Sequence, residues 1–341
     1  MAELLEVPYS SLVYHLYRVP DSVKYEKFHI RKKSGGLRTI SAPVTAIKII
    51  QRKLSQVLYR VYTPKAPVHG FTPSRSIVTN ATLHVRQRYV FNIDIADFFD
   101  CIHFGRVRGI FMAAPYNRPP NVATVLAKIC CLSNKLPQGA PTSPVVSNMV
   151  CARLDSQLRL LAKEKHCTYT RYADDITFST RLTQFPKDIA YRREDSVFVG
   201  RRLLTLLEGN DFKVNWKKVR LQHKNHSQQV TGLTVNKFPN VDRSFVRKIN
   251  SMLHVWDRYR LPAARKGYKE RCVQKLKELQ PELSQKDIEK IKFPLFEDVL
   301  RGKINFLGMV RGKNDHIYLK YWKRYGELDR RNDNTSECLE Q

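Results

Sequence analysis

Acidic residues are scarce in this chain. Of 341 residues, 31 are Asp or Glu against 60 Lys or Arg, a formal net charge of +29. The excess runs through the whole chain and is not confined to a tail, which points to a polyanionic partner, most simply a nucleic acid, met over a wide surface. A ribosomal or chromatin-like binder would share this charge, so charge alone names no activity. Metal-type cysteine spacing is also missing: the seven cysteines include the adjacent pair Cys130-Cys131 but no CxxC, and read as reduced, mostly buried thiols. The opening Met-Ala-Glu-Leu-Leu-Glu lacks a signal-peptide pattern. No apolar run approaches membrane-spanning length. With no internal repeat and no low-complexity linker, the expectation is a soluble cytoplasmic protein without a membrane partner. Its length suggests two or three subdomains.

The most informative stretch is Thr168–Ser179, Thr-Tyr-Thr-Arg-Tyr-Ala-Asp-Asp-Ile-Thr-Phe-Ser. Period-two alternation of aromatic and β-branched residues on both sides of a two-acid turn predicts a β-hairpin. Its tip, Tyr172-Ala173-Asp174-Asp175, sets two carboxylates side by side, which is costly unless a divalent cation sits there. An ordinary acidic turn is the other reading. Residues 89–100 predict a strand with Phe91, Ile93 and Ile95 on one face and Asn92 and Asp94 on the other. Asp94 is then an acid in an apolar strand, a position without a comfortable structural reason. Asp97 could cap a helix that follows.

Around these acids, residues 27–43 predict a hairpin turning at Gly35-Gly36, with Lys32, Lys33 and Arg38 projecting. It reads equally as a solvated sheet edge or as a clamp on a triphosphate. Residues 44–62 show an apolar stripe at helical spacing. A Pro/Gly-rich loop, Leu136–Pro144, carries Gln138 and Gly139 into a helix that Thr142 or Ser143 can cap. Val197–Leu207 predicts another helix, ending at Gly209. His84 reads as a hydrogen-bonded structural histidine. Beyond Asp242 the pattern is helical, with the stripe Phe245, Ile249, Met252, Leu253 and Trp256. Arg243, Arg247, Lys248 and Arg258 occupy the remaining surface and suit a structured RNA or hybrid duplex. Residues 327–341 are polar and expected to be disordered.

Asp94 on a strand, Asp174-Asp175 on a hairpin tip and the loop with Gln138 converge on one chemistry. Nucleotidyl transfer needs two cations that clamp the attacking 3′ oxygen and the leaving pyrophosphate oxygen, and carboxylates from neighbouring strands hold them most simply. The arrangement is that of a polymerase palm.

Here the sequence resembles the reverse transcriptases. Phe91–Phe99 is similar to their motif A, Leu136–Pro144 to motif B, Tyr172–Asp175 to motif C and Asn215–Lys218 to motif D, although Val219 stands where Thr is usual. Asn80-Ala-Thr-Leu-His84 and Val230-Thr-Gly232 together resemble the NAxxH and VTG signatures of bacterial retron enzymes. The resemblance implies an α+β right-hand fold: N-terminal segment and fingers over 1–90, and palm over 91–240 with fingers helices around 102–135. A helical thumb over 241–326 completes it. It implies that Asp94, Asp174 and Asp175 hold two Mg²⁺ ions, and that Lys33 (or Lys32) and Arg38 hold a triphosphate. Phe99 would act as steric gate against a ribose 2′-OH. Gln138 and Gly139 would line the nascent base pair, and Lys218 (or Lys217) would serve the leaving pyrophosphate. Further implied are dNTPs, a cognate non-coding RNA primed from an internal 2′-OH to give branched RNA–DNA, and antiphage defence with an effector protein. The alternatives are a diversity-generating or group II intron-like reverse transcriptase, or a catalytically idle RNA-binding scaffold. Loss of any of the three acids would favour the scaffold, and all three are present.

Overall fold

The computed structural model describes residues 1–31, 36–282 and 284–337. The chain divides into two compact units, Met1–Thr231 and Gly232–Gln341. In the first, β1 (Tyr25–Arg31) and β2 (Leu37–Pro43) form an antiparallel hairpin with Ile30 opposite Arg38. Helices α1 (Thr45–Val61) and α2 (Ile77–Thr82) follow. Next come β3 (Tyr89–Asp94), α3 (Phe104–Met112), α4 (Pro120–Cys130) and the long α5 (Ser143–Glu164). The hairpin β4 (Thr168–Tyr172) and β5 (Asp175–Thr180) comes after α5, then a second hairpin, β6 (Ala190–Arg193) and β7 (Ser196–Val199). Helix α6 (Arg201–Glu208) and strand β8 (Arg220–His223) come next, and short helical segments precede β1.

The central sheet has the order β4-β5-β3-β8 and is antiparallel throughout. Because side chains alternate across a strand, its register sorts them into two chemically distinct faces. Phe91 pairs with Phe178 and Ile93 with Ile176; Tyr169 pairs with Phe178. These residues join Val145, Val146, Met149, Leu154 and Leu158 of α5 in one buried cluster. Each such side chain stabilises the fold by about 1.5–3 kcal/mol relative to exposure. The opposite face carries Asn92 across from Thr177, and Asp94 across from Asp175. It is polar yet also buried, with Asn92, Thr177, Ser179 and Thr170 all closed off from solvent. His84 covers it, its Nδ1 bonded to Ser179 Oγ and its Nε2 to Thr170 Oγ1, each at 2.7 Å. The structural reading of this histidine therefore holds. A hydroxyl partner at each ring nitrogen is what keeps a buried imidazole affordable.

Three local expectations need correcting. Asp97 caps nothing: it is exposed, with φ +45°, in a turn, and α3 starts later with His103 as its cap. The helix expected over Val197–Leu207 begins only at Arg201, because Val197–Val199 belong to β7. Gly200 makes the switch, lying so close to the Asp188 carbonyl that a Cβ would sit 2.2 Å from its oxygen. The N-terminal end of α5 is approached through Thr142, but neither proposed capping side chain acts as one. Ser143 Oγ donates instead to Pro137 O at 2.6 Å.

The second unit is helical. Its first helix, α7 (Arg243–Leu279), is broken at Arg260, where φ +63° and ψ 167° leave helical space two residues before Pro262. Pro262 has no amide hydrogen to give the carbonyl four residues back, and its ring crowds that turn, which favours a break just upstream of it. Then follow α8 (Gln285–Lys290), α9 (Phe296–Arg311) and α10 (His316–Glu337). Ile249, Met252, Leu253 and Trp256 of α7 are buried with Phe296, Leu300, Ile304 and Leu307 of α9. Trp256 meets Tyr325 of α10 edge-on at 5.4 Å. The polar stretch from 327, expected to be disordered, is helical as far as Glu337.

Candidate active site

Asp94 ends β3 and lies directly opposite Asp175, the first residue of β5. The hairpin turn consists of Ala173 and Asp174, since Tyr172 pairs with Asp175. Ala173 takes φ +57°, unusual for a residue with a Cβ. Asp174 is tied to the neighbouring strand, its carbonyl accepting from Ile95 N at 3.0 Å. The three carboxylates thus come from two adjacent strands and the turn between β4 and β5. On the other side, Asn215 brackets Asp94: its amide N donates to Asp94 O at 2.8 Å and its Nδ2 to Asp94 Oδ1 at 3.0 Å. One turn on, Lys218 Nζ donates to Asp94 Oδ2 at 2.5 Å. Between the two lysines weighed from sequence, Lys218 is the one brought to the acids.

The electrostatics show a site overloaded with negative charge. Burial, then Asp175 and Asp94, push Asp174 up to about 7. Burial and Asp94 push Asp175 up to about 6 against the pull of Lys218 and Arg220. Lys218 loses some stability as a cation to burial, but Asp94, Asp174 and Asp175 outweigh this and raise it. Among the described residues no three such side chains stand as a ready ligand set for an ion. Asp94 is drawn instead to Lys218 and Asn215. The donor set nevertheless fits a hard divalent cation: carboxylate oxygens only, with Asp174 and Asp175 raised first by burial and then by neighbouring carboxylate charge, a cost that a bound cation would offset.

Other residues singled out from sequence fall in distinct places. Gln138 is half-buried and its carbonyl accepts from Ser41 N at 2.8 Å, docking the loop onto β2. Gly139, at φ +114°, lies where a Cβ would meet Ile40 Cγ2 at 2.9 Å, so this close approach requires glycine. Phe99 is half-buried, with Phe98 at 5.2 Å and Phe71 at 6.4 Å between ring centroids. Arg38 is exposed on β2. Lys32 and Lys33 lie outside the described residues. Arg243, Arg247, Lys248 and Arg258 are exposed on α7 of the second unit.

Sequence reasoning missed a second layer. Arg171 and Asp155 are both fully buried and form a two-pronged ion pair, Nε to Oδ1 and Nη2 to Oδ2, each at 2.7 Å. Asn148 Oδ1 accepts from Arg171 Nη1 at 3.2 Å. The available signal was the alternation itself, which sets Arg171 on the same face as Tyr169 and therefore toward the core. A buried arginine needs an acid, and Asp155 on the apolar side of α5 supplies it.

Residues 30–235 match the family model described as "Reverse transcriptase (RNA-dependent DNA polymerase)". The chain is 34% identical over 296 residues to the retron Mx65 reverse transcriptase of Myxococcus xanthus, covering 80% of this chain and 66% of that protein. It is 34% identical to the retron Mx162 reverse transcriptase of the same organism, covering 69% of this chain and 53% of that one. With the retron Ec86 reverse transcriptase of Escherichia coli it shares 32% identity over 68% of this chain and 69% of the relative. The match therefore spans about two thirds of the first relative's length and about half of the second's.

Proposed function

The chain belongs to the reverse transcriptase family, with retron enzymes among its relatives, and we propose that it is an RNA-directed DNA polymerase of the retron type. The observation that carries this reading is Asp94 set directly across from Asp175 beside the Asp174 turn, with Lys218 on the same acids. Asp94, Asp174 and Asp175 would hold two Mg²⁺ ions. When bound, these supply charge neutralisation at the attacking 3′ oxygen and at the leaving pyrophosphate.

The chain's own groups do the rest. Lys218 Nζ, kept protonated by the acids around it, stands ready to give a proton or its charge to the departing pyrophosphate. The Phe99 ring packs beneath the incoming sugar and excludes a 2′-OH. Gln138 and Gly139 line the nascent pair, while Lys33 and Arg38 on the β1–β2 hairpin grip the triphosphate. Residues 1–90 and 91–240 then serve as fingers and palm, and 241–326 as thumb, with Arg243, Arg247, Lys248 and Arg258 toward RNA. The template is a cognate non-coding RNA in the bacterial cytoplasm. Priming from its internal 2′-OH yields a branched RNA–DNA molecule, in a defence system against phage that includes an effector protein.

The test is incorporation of dNTPs on an RNA template with Mg²⁺. Asp174→Asn should lower it by about 10²-fold or more, with circular dichroism and RNA affinity unchanged. Activity in that variant near the wild-type level would overturn the assignment.

A further inference from the structure

Arg171 touches none of the reacting groups assigned above, yet among the described residues it is the largest of the fully buried side chains. A guanidinium is seldom enclosed completely, and an apolar residue of similar volume fills such a space at less cost. Its bonds show what the charge achieves. Nε and Nη2 are anchored on Asp155 of α5, which also accepts from Tyr169 Oη at 2.7 Å. The remaining nitrogen, Nη1, reaches forward to the carbonyl of Ala173 at 3.0 Å. That carbonyl belongs to the peptide joining Ala173 to Asp174. Holding it fixes the plane from which Asp174 projects.

The other side of the turn is held too. Arg171 O accepts from His69 N at 2.8 Å, and Arg171 N donates to Pro67 O at 2.9 Å, so the loop before α2 runs alongside β4. Gly70 in that loop lies so close that a Cβ would stand 2.3 Å from Ala173 N. Asn148 of α5 joins both halves, its Nδ2 donating to Gly70 O at 2.9 Å and its Oδ1 accepting from Arg171 Nη1. Ala173, in left-handed geometry without being glycine, thus has its nitrogen packed against Gly70 and its oxygen hydrogen-bonded to Arg171.

We propose that Arg171, anchored by Asp155, is the positioning residue of the catalytic turn: it transfers the rigidity of α5 to the Ala173–Asp174 peptide and so sets the Asp174 carboxylate. This rests on the polymerase reading of the site. Lysine cannot substitute, because one ammonium cannot bond both Asp155 oxygens in a fork and also reach the Ala173 carbonyl.

The experiment compares the full-length wild type with Asp155→Leu/Arg171→Met, Arg171→Lys and Tyr169→Phe. The double variant removes both charges at similar volume, so no charge is left buried alone. Its unfolding transition should remain cooperative, while kcat for dNTP incorporation falls about 100-fold, as expected for ångström-scale misplacement, with KM for dNTP changed far less. Arg171→Lys keeps the charge pair and should show the same kcat loss, which preserves the test if the double variant does not fold. Tyr169→Phe removes a bond to Asp155 without touching the turn and should leave kcat close to wild type. Mn²⁺ binding followed by electron paramagnetic resonance gives a readout without turnover, and affinity should weaken in both Arg171 variants but not in Tyr169→Phe. A folded double variant or Arg171→Lys with wild-type kcat and Mn²⁺ affinity would overturn the proposal. A wild type that binds Mn²⁺ but copies no RNA would instead overturn the polymerase reading alone.

Discussion

Phe99 illustrates how much a single side chain can decide. Its ring is half-buried, backed by Phe98 and flanked by Phe71. Phe71 itself sits at φ +56°, a left-handed geometry that a bulky residue adopts at a cost. If the Phe99 ring is the sugar gate, Phe99→Ala should raise ribonucleotide use relative to deoxynucleotide by about 10-fold or more, the scale on which pocket contacts discriminate small groups. Single-turnover incorporation of matched dNTP and rNTP measures the ratio, and an unchanged ratio would reduce the ring to packing. Phe71→Leu should shift the ratio in the same direction but less, because it loosens the neighbour and leaves the gate in place. At Arg171 the magnitudes run the other way. Removing it alone would strand Asp155 in the core and cost about 3–5 kcal/mol, a large share of a domain's stability.

Between elements, His84 acts as a bolt. It follows α2 and bonds one strand on each side of the catalytic hairpin, Thr170 on β4 and Ser179 on β5. Burial pushes its imidazole down to about 3. The folded protein thus keeps it neutral where the unfolded chain, with an ordinary value near 6.5, takes up a proton. The stabilisation is complete above about 6.5 and is lost progressively as pH falls toward 3, amounting to about 2 kcal/mol by pH 5. Asp174 and Asp175 are raised and contribute with the opposite sign, so the informative quantity is a difference between proteins. His84→Gln should be less stable at pH 7.5, and its urea-unfolding free energy should decline less between pH 7.5 and pH 5 than the wild type's, by about that amount. Parallel pH profiles would show that the ring titrates freely.

The elements around this bolt were legible in the sequence to different degrees. The β4–β5 hairpin and β3 were clear, because period-two alternation and a two-acid turn leave few other folds, and Asp94 betrayed itself as an acid among Phe91, Ile93 and Ile95. The Arg171–Asp155 pair was not, since a basic residue in a strand reads the same whether it meets water or a carboxylate sixteen positions away. The β6–β7 hairpin was hidden because Val197 and Val199 continue the apolar rhythm of α6, and only the contact of Gly200 with the Asp188 carbonyl separates them. α10 was cut short in the reading because polarity past 327 looks alike in a solvated helix and a loose tail.

For the whole molecule the governing quantity is charge. A surplus of +29 cannot be explained by the active site, which is itself acid-rich, so the basic residues answer to something the surface meets. Among the described residues no helix is long and apolar enough to cross a membrane. On the helical unit, Arg243, Arg247 and Lys248 are exposed at the start of α7. Lys303 of α9 lies near enough to Lys248 that burial and this neighbour lower it, and its Nζ stands 5.2 Å over the Phe245 ring. Asp242 at the N-terminus of α7 offsets part of the charge of Arg243 and Arg247, but the Lys248–Lys303 repulsion costs the free protein stability, and a phosphate backbone relieves that cost. Binding of the cognate RNA should therefore weaken steeply with salt, since each phosphate neutralised releases counterions. Arg243→Gln/Arg247→Gln/Lys248→Gln should flatten the plot of log affinity against log salt by about one unit per lost contact, up to about three. Incorporation on a saturating generic primer–template should stay unchanged, because none of these residues belongs to the acid site. Affinity across a salt series for the wild type and the triple variant decides the matter. Equal slopes and equal affinities would place the RNA on another surface and leave this cluster facing solvent.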